Sequence, residues 1–259
     1  MAGRWLLILG VSSGFGAAVA RTFAAEGWDI AGIHLDRRSG MPAVEALQAE
    51  IRALGREALF FNVNAADDQR RQEVIAALKE QLPVGGVGIF LHSLAFGSLV
   101  PFVAGAGKKV SRAQLEMTVD VMGHSLVWWT QDLVATGLMG EGGRIYAMTS
   151  AGSHHVWPGY GPVSAAKSVL ESHVRQLAME LAPQKITVNA LLAGVTRTAA
   201  LEKIPGSDKL IEKSLARNPS GRLTEPLDVA RCMLELCRPG TYWLTGNVLR
   251  VDGGEDISG

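Results

Sequence analysis

The strongest constraint on this chain lies at its amino terminus. There Trp5-Leu-Leu-Ile-Leu9 runs straight into Gly10-Val-Ser-Ser-Gly14-Phe-Gly16, followed by residues 17–26 with apolar side chains at helical spacing. The apolar run is too brief for a helix and suits a strand buried on both faces. Glycines at the turn let the backbone approach a pyrophosphate, and the next helix presents free N–H groups and a positive dipole end. The spacing is Gly-x3-Gly-x-Gly, not Gly-x-Gly-x-x-Gly, so taken alone it also fits a strand-to-helix connection without a ligand.

Strand and helix patterns then alternate almost without interruption. Strands are predicted at 5–9, 29–35, 58–62, 87–92, 144–149, 186–192 and 247–251, and helices at 14–26, 41–54, 68–82, 111–136, 162–181, 209–216 and 225–237. Alternation of this kind demands right-handed crossovers and a parallel sheet covered on both faces. The expected architecture is α/β, a doubly wound parallel sheet of about seven strands with ligands at the carboxyl ends of the strands. No Pro/Ser-rich stretch or charge run divides the 259 residues, which predicts a single domain over 1–259.

Lysine plus arginine equals aspartate plus glutamate at 25 each, so no basic face of the kind nucleic acid requires is expected. The first strand begins at Trp5 and no apolar run is long enough to span a bilayer, which predicts no signal peptide, no membrane contact and a cytoplasmic location. Cys232 and Cys237 fall on different faces of one helix, against a bridge or a metal clamp. His154 and His155 are adjacent without a partner at metal-ligand spacing, so a loop at a substrate entrance is expected and no metal site. His124, His173 and the Trp128-Trp129 pair lie in helical stretches and predict core packing or subunit contacts.

The chemistry-bearing segment is Tyr160-Gly-Pro-Val-Ser-Ala-Ala-Lys167. An ammonium group near a phenol favours the charged form of the latter, whose ordinary pKa is about 10, so the pair can manage an oxyanion. Pro162 is harmless in the first turn of a helix, which leaves Tyr160 just outside it.

Five segments together resemble the short-chain dehydrogenase/reductase superfamily over nearly the whole chain: the glycine turn, Asn62-Val63, His92-Ser-Leu-Ala-Phe96, Tyr160 with Lys167, and Val251-Asp-Gly-Gly254. Within that superfamily, His92-Ser-Leu-Ala-Phe96, Asp120-Val-Met-Gly-His-Ser125, the Tyr-x6-Lys pair, Glu171-Ser-His-Val-Arg175 and Arg197-Thr198 resemble the enoyl-acyl-carrier-protein reductases of bacterial fatty acid synthesis. The resemblance implies a Rossmann-like fold, a homotetramer built on the helices around 111–136 and 162–181, and an NAD(P)H-dependent reduction of an enoyl thioester on acyl carrier protein or coenzyme A. Carbonyl-reducing members carry their tyrosine four residues before the lysine, where this chain has Val163, and an asparagine for a proton relay where it has Met122. Many enoyl reductases, in turn, have an aromatic residue where this chain has Ser150, and a longer glycine turn. Ser150 stands at the position of the catalytic serine of carbonyl reductases, so a carbonyl reductase, 3-ketoacyl reductase or alcohol dehydrogenase is the alternative. A dinucleotide-binding regulatory protein without turnover is disfavoured by the presence of both Tyr160 and Lys167.

The implied catalytic residues are therefore Tyr160, Lys167 and Ser150, with Tyr160 bonding the thioester carbonyl and Lys167 the nicotinamide ribose. Gly10, Ser12, Ser13, Gly14, Phe15 and Gly16 are expected around the pyrophosphate, Asn62 and Val63 at the adenine, and Ser93, Leu94 and Ala95 beneath the nicotinamide ribose. Gly194, Val195, Thr196 and Thr198 are expected at the pyrophosphate or carboxamide. Asp36, Arg37 and Arg38 fall where the adenosine ribose is met. An acid favours a free 2′-hydroxyl and arginines a 2′-phosphate, so NADPH is preferred and NADH stays open. Substrate loops are predicted at about 96–110 and 196–222, with Phe96, Leu99 and Phe102 as an apolar wall, Lys108 and Lys109 as a basic rim, and the second loop, containing Pro205-Gly206, as a lid.

Overall fold

Alternate residues of the first strand enter opposite cores: Leu7 and Leu9 pack on one face of the sheet, Leu6 and Ile8 on the other. That two-sided burial is why the strand reads as a continuous apolar run. The computed structural model describes residues 4–103, 107–204 and 206–258. Among these, β1 (Trp5–Leu9), β2 (Asp29–His34), β3 (Ala58–Asn62), β4 (Val87–His92), β5 (Arg144–Ser150), β6 (Thr187–Ala193) and β7 (Val248–Val251) form one sheet ordered β3-β2-β1-β4-β5-β6-β7. All neighbouring pairs are parallel. The Rossmann-like doubly wound sheet expected from the sequence is the one observed.

Chain order reverses between β1 and β4, so the loops leaving these two strands diverge and open a crevice. One face is covered by α1 (Gly14–Ala25), α2 (Met41–Ala53) and α8 (Pro226–Leu236), which supply Phe23, Leu47 and Met233 to the core. The other is covered by α3 (Asp68–Gln81), α4 (Arg112–Val119), α5 (Ser125–Ala135) and α6 (Gly161–Leu181), with Leu78, Trp129 and Leu170 buried against the sheet. A further helix, α7 (Ser207–Arg217), lies in the segment after β6. No helix among the described residues is long and apolar enough to cross a membrane.

The continuous helix predicted over 111–136 is corrected by the structure. A π-helical turn, Asp120–His124, separates α4 from α5. Its physical consequence is a change of helical phase: Met122 is buried, and the Ser125 hydroxyl donates back to the Val121 carbonyl at 2.7 Å and meets His92 Nε2 at 2.8 Å. Such wide turns interrupt the regular ladder and occur often at functional sites. Sequence periodicity cannot reveal one, because its flanks still read as helix.

Trp129 is fully buried and its indole N–H donates to the Ala65 carbonyl at 2.8 Å, tying α5 to the loop before α3. Trp129→Phe leaves that carbonyl dry and unpaired. We expect it to cost about 1–3 kcal/mol, measured as a lower urea midpoint with an unchanged slope.

Candidate active site

The crevice at the carboxyl ends of β1, β4, β5 and β6 is a cavity of about 780 Å³. Its floor begins at the glycine turn. Gly10 has φ +85°, and a side chain there would run into the Ser93 carbonyl, so the loops after β1 and β4 can touch only without one. At Gly16 an added Cβ would collide with the Gly10 carbonyl, which fixes how closely α1 approaches the turn. Ser13 caps α1 with extended backbone, makes no side-chain bond to the helix, and no acidic residue follows in the first turn. The helix therefore presents its first N–H groups and positive end to an anion. Thr198 closes over this turn, its Cγ2 lying 3.5 Å from where a Gly14 Cβ would be, and its hydroxyl accepts from Leu201 N at 3.2 Å.

Tyr160 is the cap residue of α6, and Lys167 follows on the same helix. The amine is 5% exposed and donates to the Met148 carbonyl at 2.7 Å. Burial pushes its pKa down to about 8, with the nearby Glu171 carboxylate opposing. Glu171 is itself held by the Thr149 hydroxyl at 2.6 Å. Behind the amine, burial and the positive charge of Lys167 push His92 down to about 3, so this imidazole stays neutral. Because Ser125 donates its own hydrogen to Val121, His92 Nε2–H donates to Ser125 Oγ, and its Nδ1 has no partner among the described residues.

Burial raises the Tyr160 phenol pKa, and the Ser150 hydroxyl pulls the other way. Ser150 nevertheless does not reach hydrogen-bond geometry: its Oγ is buried and unpaired among the described residues. An unpaired hydroxyl beside a neutral phenol in an apolar cavity is a binding position for a carbonyl oxygen. Gly152 lets the Tyr160 ring and Ser150 lie side by side, since a Cβ there would strike the ring and lie 3.2 Å from Ser150 Oγ.

The cavity brings together Tyr160, Lys167, Ser150, Phe15, the segment Ser93 to Phe96, Leu99, and Gly194, Val195, Thr196 and Thr198. Gly10, Ser12, Ser13, Gly14 and Gly16 form the turn at its edge, and Asn62, Val63, Arg37 and Arg38 lie beyond it, past the ends of β2 and β3. Asn62 clamps the intervening loop, accepting from Asp36 N and donating to Asp36 O, both at 3.0 Å. Arg37 and Arg38 are exposed. Phe102 is not brought into the cavity; its ring covers Gly161 at the start of α6, where a Cβ would meet it at 2.7 Å. Lys108 and Lys109 are exposed. The middle of the first predicted substrate loop, 104–106, and Pro205 of the predicted lid lie outside the described residues.

Sequence reasoning missed the carboxyl-terminal tail. Glu255 accepts from Val195 N at 3.1 Å, Arg217 donates to the Glu255 carbonyl at 2.8 Å, and Asn218 donates to the Asp252 carbonyl at 2.9 Å. His154 and His155, expected to lack a partner, both face Asp256, with Nε2 to Oδ1 distances of 2.8 and 3.6 Å. Burial would raise the Asp256 pKa, but hydrogen bonds from Arg250 and His154 hold it below the usual carboxylate value. The only local signal was a run of acids after the last strand, which looks like a solvated end.

This arrangement fits a nicotinamide dinucleotide: an uncapped helix end for the pyrophosphate, a glycine cradle, a buried ammonium and an unpaired hydroxyl at the reacting end. The family model described as enoyl-(acyl carrier protein) reductase matches residues 10–255. The chain is similar to the enoyl-[acyl-carrier-protein] reductase [NADH] FabI of Aquifex aeolicus (strain VF5), 29% identical over 99% of this chain and 93% of that protein. A crystal structure of enoyl-[acyl-carrier-protein] reductase (NADH) from Aquifex aeolicus VF5 superposes with a TM-score of 0.83 at 26% identity, covering 99% of this chain and 98% of that one. It is also 30% identical, over 98% of its length and 97% of the relative's, to the (2S)-[(R)-hydroxy(phenyl)methyl]succinyl-CoA dehydrogenase subunit BbsD of Thauera aromatica. The NADPH-dependent FabI of Staphylococcus aureus (strain MRSA252) is 30% identical over 76% of this chain and 75% of that protein.

Lys167 binds its proton less tightly when folded, at a pKa of about 8 against an ordinary 10.5. Between those pH values the unfolded chain carries more protons, so stability rises with pH. Relative to Lys167→Met, we expect wild-type stability to increase across this window by a few kcal/mol at most, each tenfold change in proton affinity being worth ~1.4 kcal/mol. Urea midpoints for both proteins over that pH range provide the check.

Proposed function

The chain belongs to the enoyl-(acyl carrier protein) reductase family of the short-chain dehydrogenase/reductase superfamily, and on that premise we propose that it reduces the carbon–carbon double bond of a trans-2-enoyl thioester in fatty acid synthesis. The observation that carries this reading is a half-buried tyrosine at the start of α6, flanked by apolar groups where carbonyl chemistry needs a proton relay. Val163 and Met122 are both buried in one cluster that Tyr160 packs against. The glycine turn and the buried Lys167 would hold a dinucleotide, which would supply a hydride for the β-carbon. Tyr160, kept protonated by burial, donates to the thioester oxygen and stabilises the enolate; Ser150 adds a second donor to the same oxygen. Lys167 holds positive charge under the site from its seat on the Met148 carbonyl. The oxygen returns to a carbonyl when the α-carbon is protonated, so no chain of proton carriers has to end at the phenol.

We assign NADPH as the preferred cofactor. The Asp36 carboxylate is drawn onto His34 Nδ1 at 3.0 Å rather than left for a ribose hydroxyl, while neither Arg37 nor Arg38 has an ion-pair partner among the described residues. Planar guanidinium groups suit a 2′-phosphate. The acyl group rides on acyl carrier protein or coenzyme A, for which the exposed Lys108 and Lys109 are offered as a basic rim. In the proposed cytoplasmic homotetramer the faces of α5 and α6 meet neighbouring subunits; α5 carries the half-exposed Trp128, and His173 of α6 meets His124 of the π-helical turn at 2.9 Å.

Ketoreduction is the second reading, favoured by the unpaired Ser150 hydroxyl. Cofactor oxidation with a trans-2-enoyl thioester and with the matching 3-ketoacyl thioester separates the two. We expect turnover of the enoyl substrate, reduced by about 10²–10³ in Tyr160→Phe; turnover of the ketoacyl substrate alone overturns the proposal. Replacing both Arg37 and Arg38 by alanine is expected to raise the KM for NADPH by about tenfold, the loss of one to two charge-assisted hydrogen bonds, and to leave the KM for NADH unchanged.

A further inference from the structure

We propose that His154, His155 and Asp256 form a binding site for a divalent transition metal of the zinc class, which staples the loop after β5 to the carboxyl-terminal tail at the cavity mouth. One ligand atom from each of these residues lies within 4.8 Å of the other two. Two imidazole nitrogens and one carboxylate oxygen are a donor set that suits zinc, and solvent can complete a tetrahedron.

The outer contacts are those of a built site. A metal on His154 Nε2 requires its proton on Nδ1; binding would replace the Nε2 contact with Asp256, and the Ser153 hydroxyl, 3.0 Å from Nδ1, can then accept from Nδ1–H. Asp256 offers Oδ1 to the histidines while Oδ2 is held by Arg250 Nε at 2.7 Å, so the carboxylate is oriented before any ion arrives. Its backbone N–H donates to Asp252 Oδ2 at 2.8 Å, which anchors the tail. Both imidazoles are 44% exposed, leaving an entry path and the rotamer freedom to draw three nitrogen and oxygen atoms onto bonds of about 2.0–2.2 Å. The nearby guanidinium weakens the site electrostatically, so it suits a reversible ion rather than a permanent structural one.

The consequence follows from the position. His154 and His155 line the cavity mouth together with Trp157 and Asp256, and the same loop leads into Tyr160. A bound ion locks this loop to the tail and slows passage of substrate and product. This regulatory effect rests on the oxidoreductase reading; the binding itself does not.

The test uses full-length, tag-free, chelator-treated protein, with Zn²⁺ titrated by calorimetry and Co²⁺ as a visible-absorption probe. We expect one ion per chain, a cobalt spectrum of nitrogen and oxygen ligands, and affinity lowered at least about tenfold in His155→Ala and in Asp256→Asn. Thermal unfolding without metal establishes that each variant is folded, and His155, being exposed, can be removed without disturbing the core. Separately, Zn²⁺ should slow cofactor oxidation in the wild type and not in His155→Ala. No binding, binding of equal strength in the variants, or a sulfur charge-transfer band pointing to Cys232 or Cys237 overturns the site. Binding without any effect on turnover overturns the gating role.

Discussion

A single buried ammonium organises the candidate site. Lys167 sits in the core of the crevice with one carbonyl, that of Met148, in direct hydrogen-bond contact. Placing a charge there is costly unless the surroundings are arranged for it. The Glu171 carboxylate, tethered by Thr149, offsets part of the cost, and the depressed pKa of the amine records what remains. Burial first and the same charge second keep His92 neutral, and the Ser125 hydroxyl, committed to the Val121 carbonyl, sets the hydrogen-bond direction from His92 to Ser125. The π-helical turn, the strand end at β4 and the start of α6 are thus linked through one amine.

Close backbone approach is the second condition. Gly10 against Ser93 joins the two strands at the reversal of chain order, and Gly123 brings the π-helical turn against α6, where a Cβ would lie 3.2 Å from the Ala166 carbonyl. These contacts hold the loops after β1 and β4 together and seat the π-helical turn on the helix that carries Tyr160 and Lys167. The site is shaped by absent atoms as much as by catalytic ones. The apolar Met122 and Val163 then line the wall that a carbonyl reductase would furnish with polar groups.

Around the rim, the tail after β7 acts as a connector. Glu255 bonds the loop after β6, Asp252 and Glu255 bond the end of α7, and Asp256 bonds the loop after β5. These three segments are therefore joined through a few carboxylates and main-chain oxygens.

The sheet, its order of elements and the presence of a dinucleotide turn were legible in the sequence because they rest on local signals: two-sided apolar strands such as 5–9, glycines at 10, 14 and 16, and helical periodicity. The Tyr160–Lys167 pair was legible for the same reason, since both residues belong to one helix end. What only the tertiary structure decided depends on contacts between distant segments. His154 meets Asp256 across 102 positions, Glu255 reaches Val195 across 60, and the Ser150 hydroxyl, with Gly152 and Tyr160 packed around it, has no partner among the described residues. Periodicity carries no information about which loop ends share a rim; that is set by strand order, and strand order is decided by how whole layers bury their apolar faces.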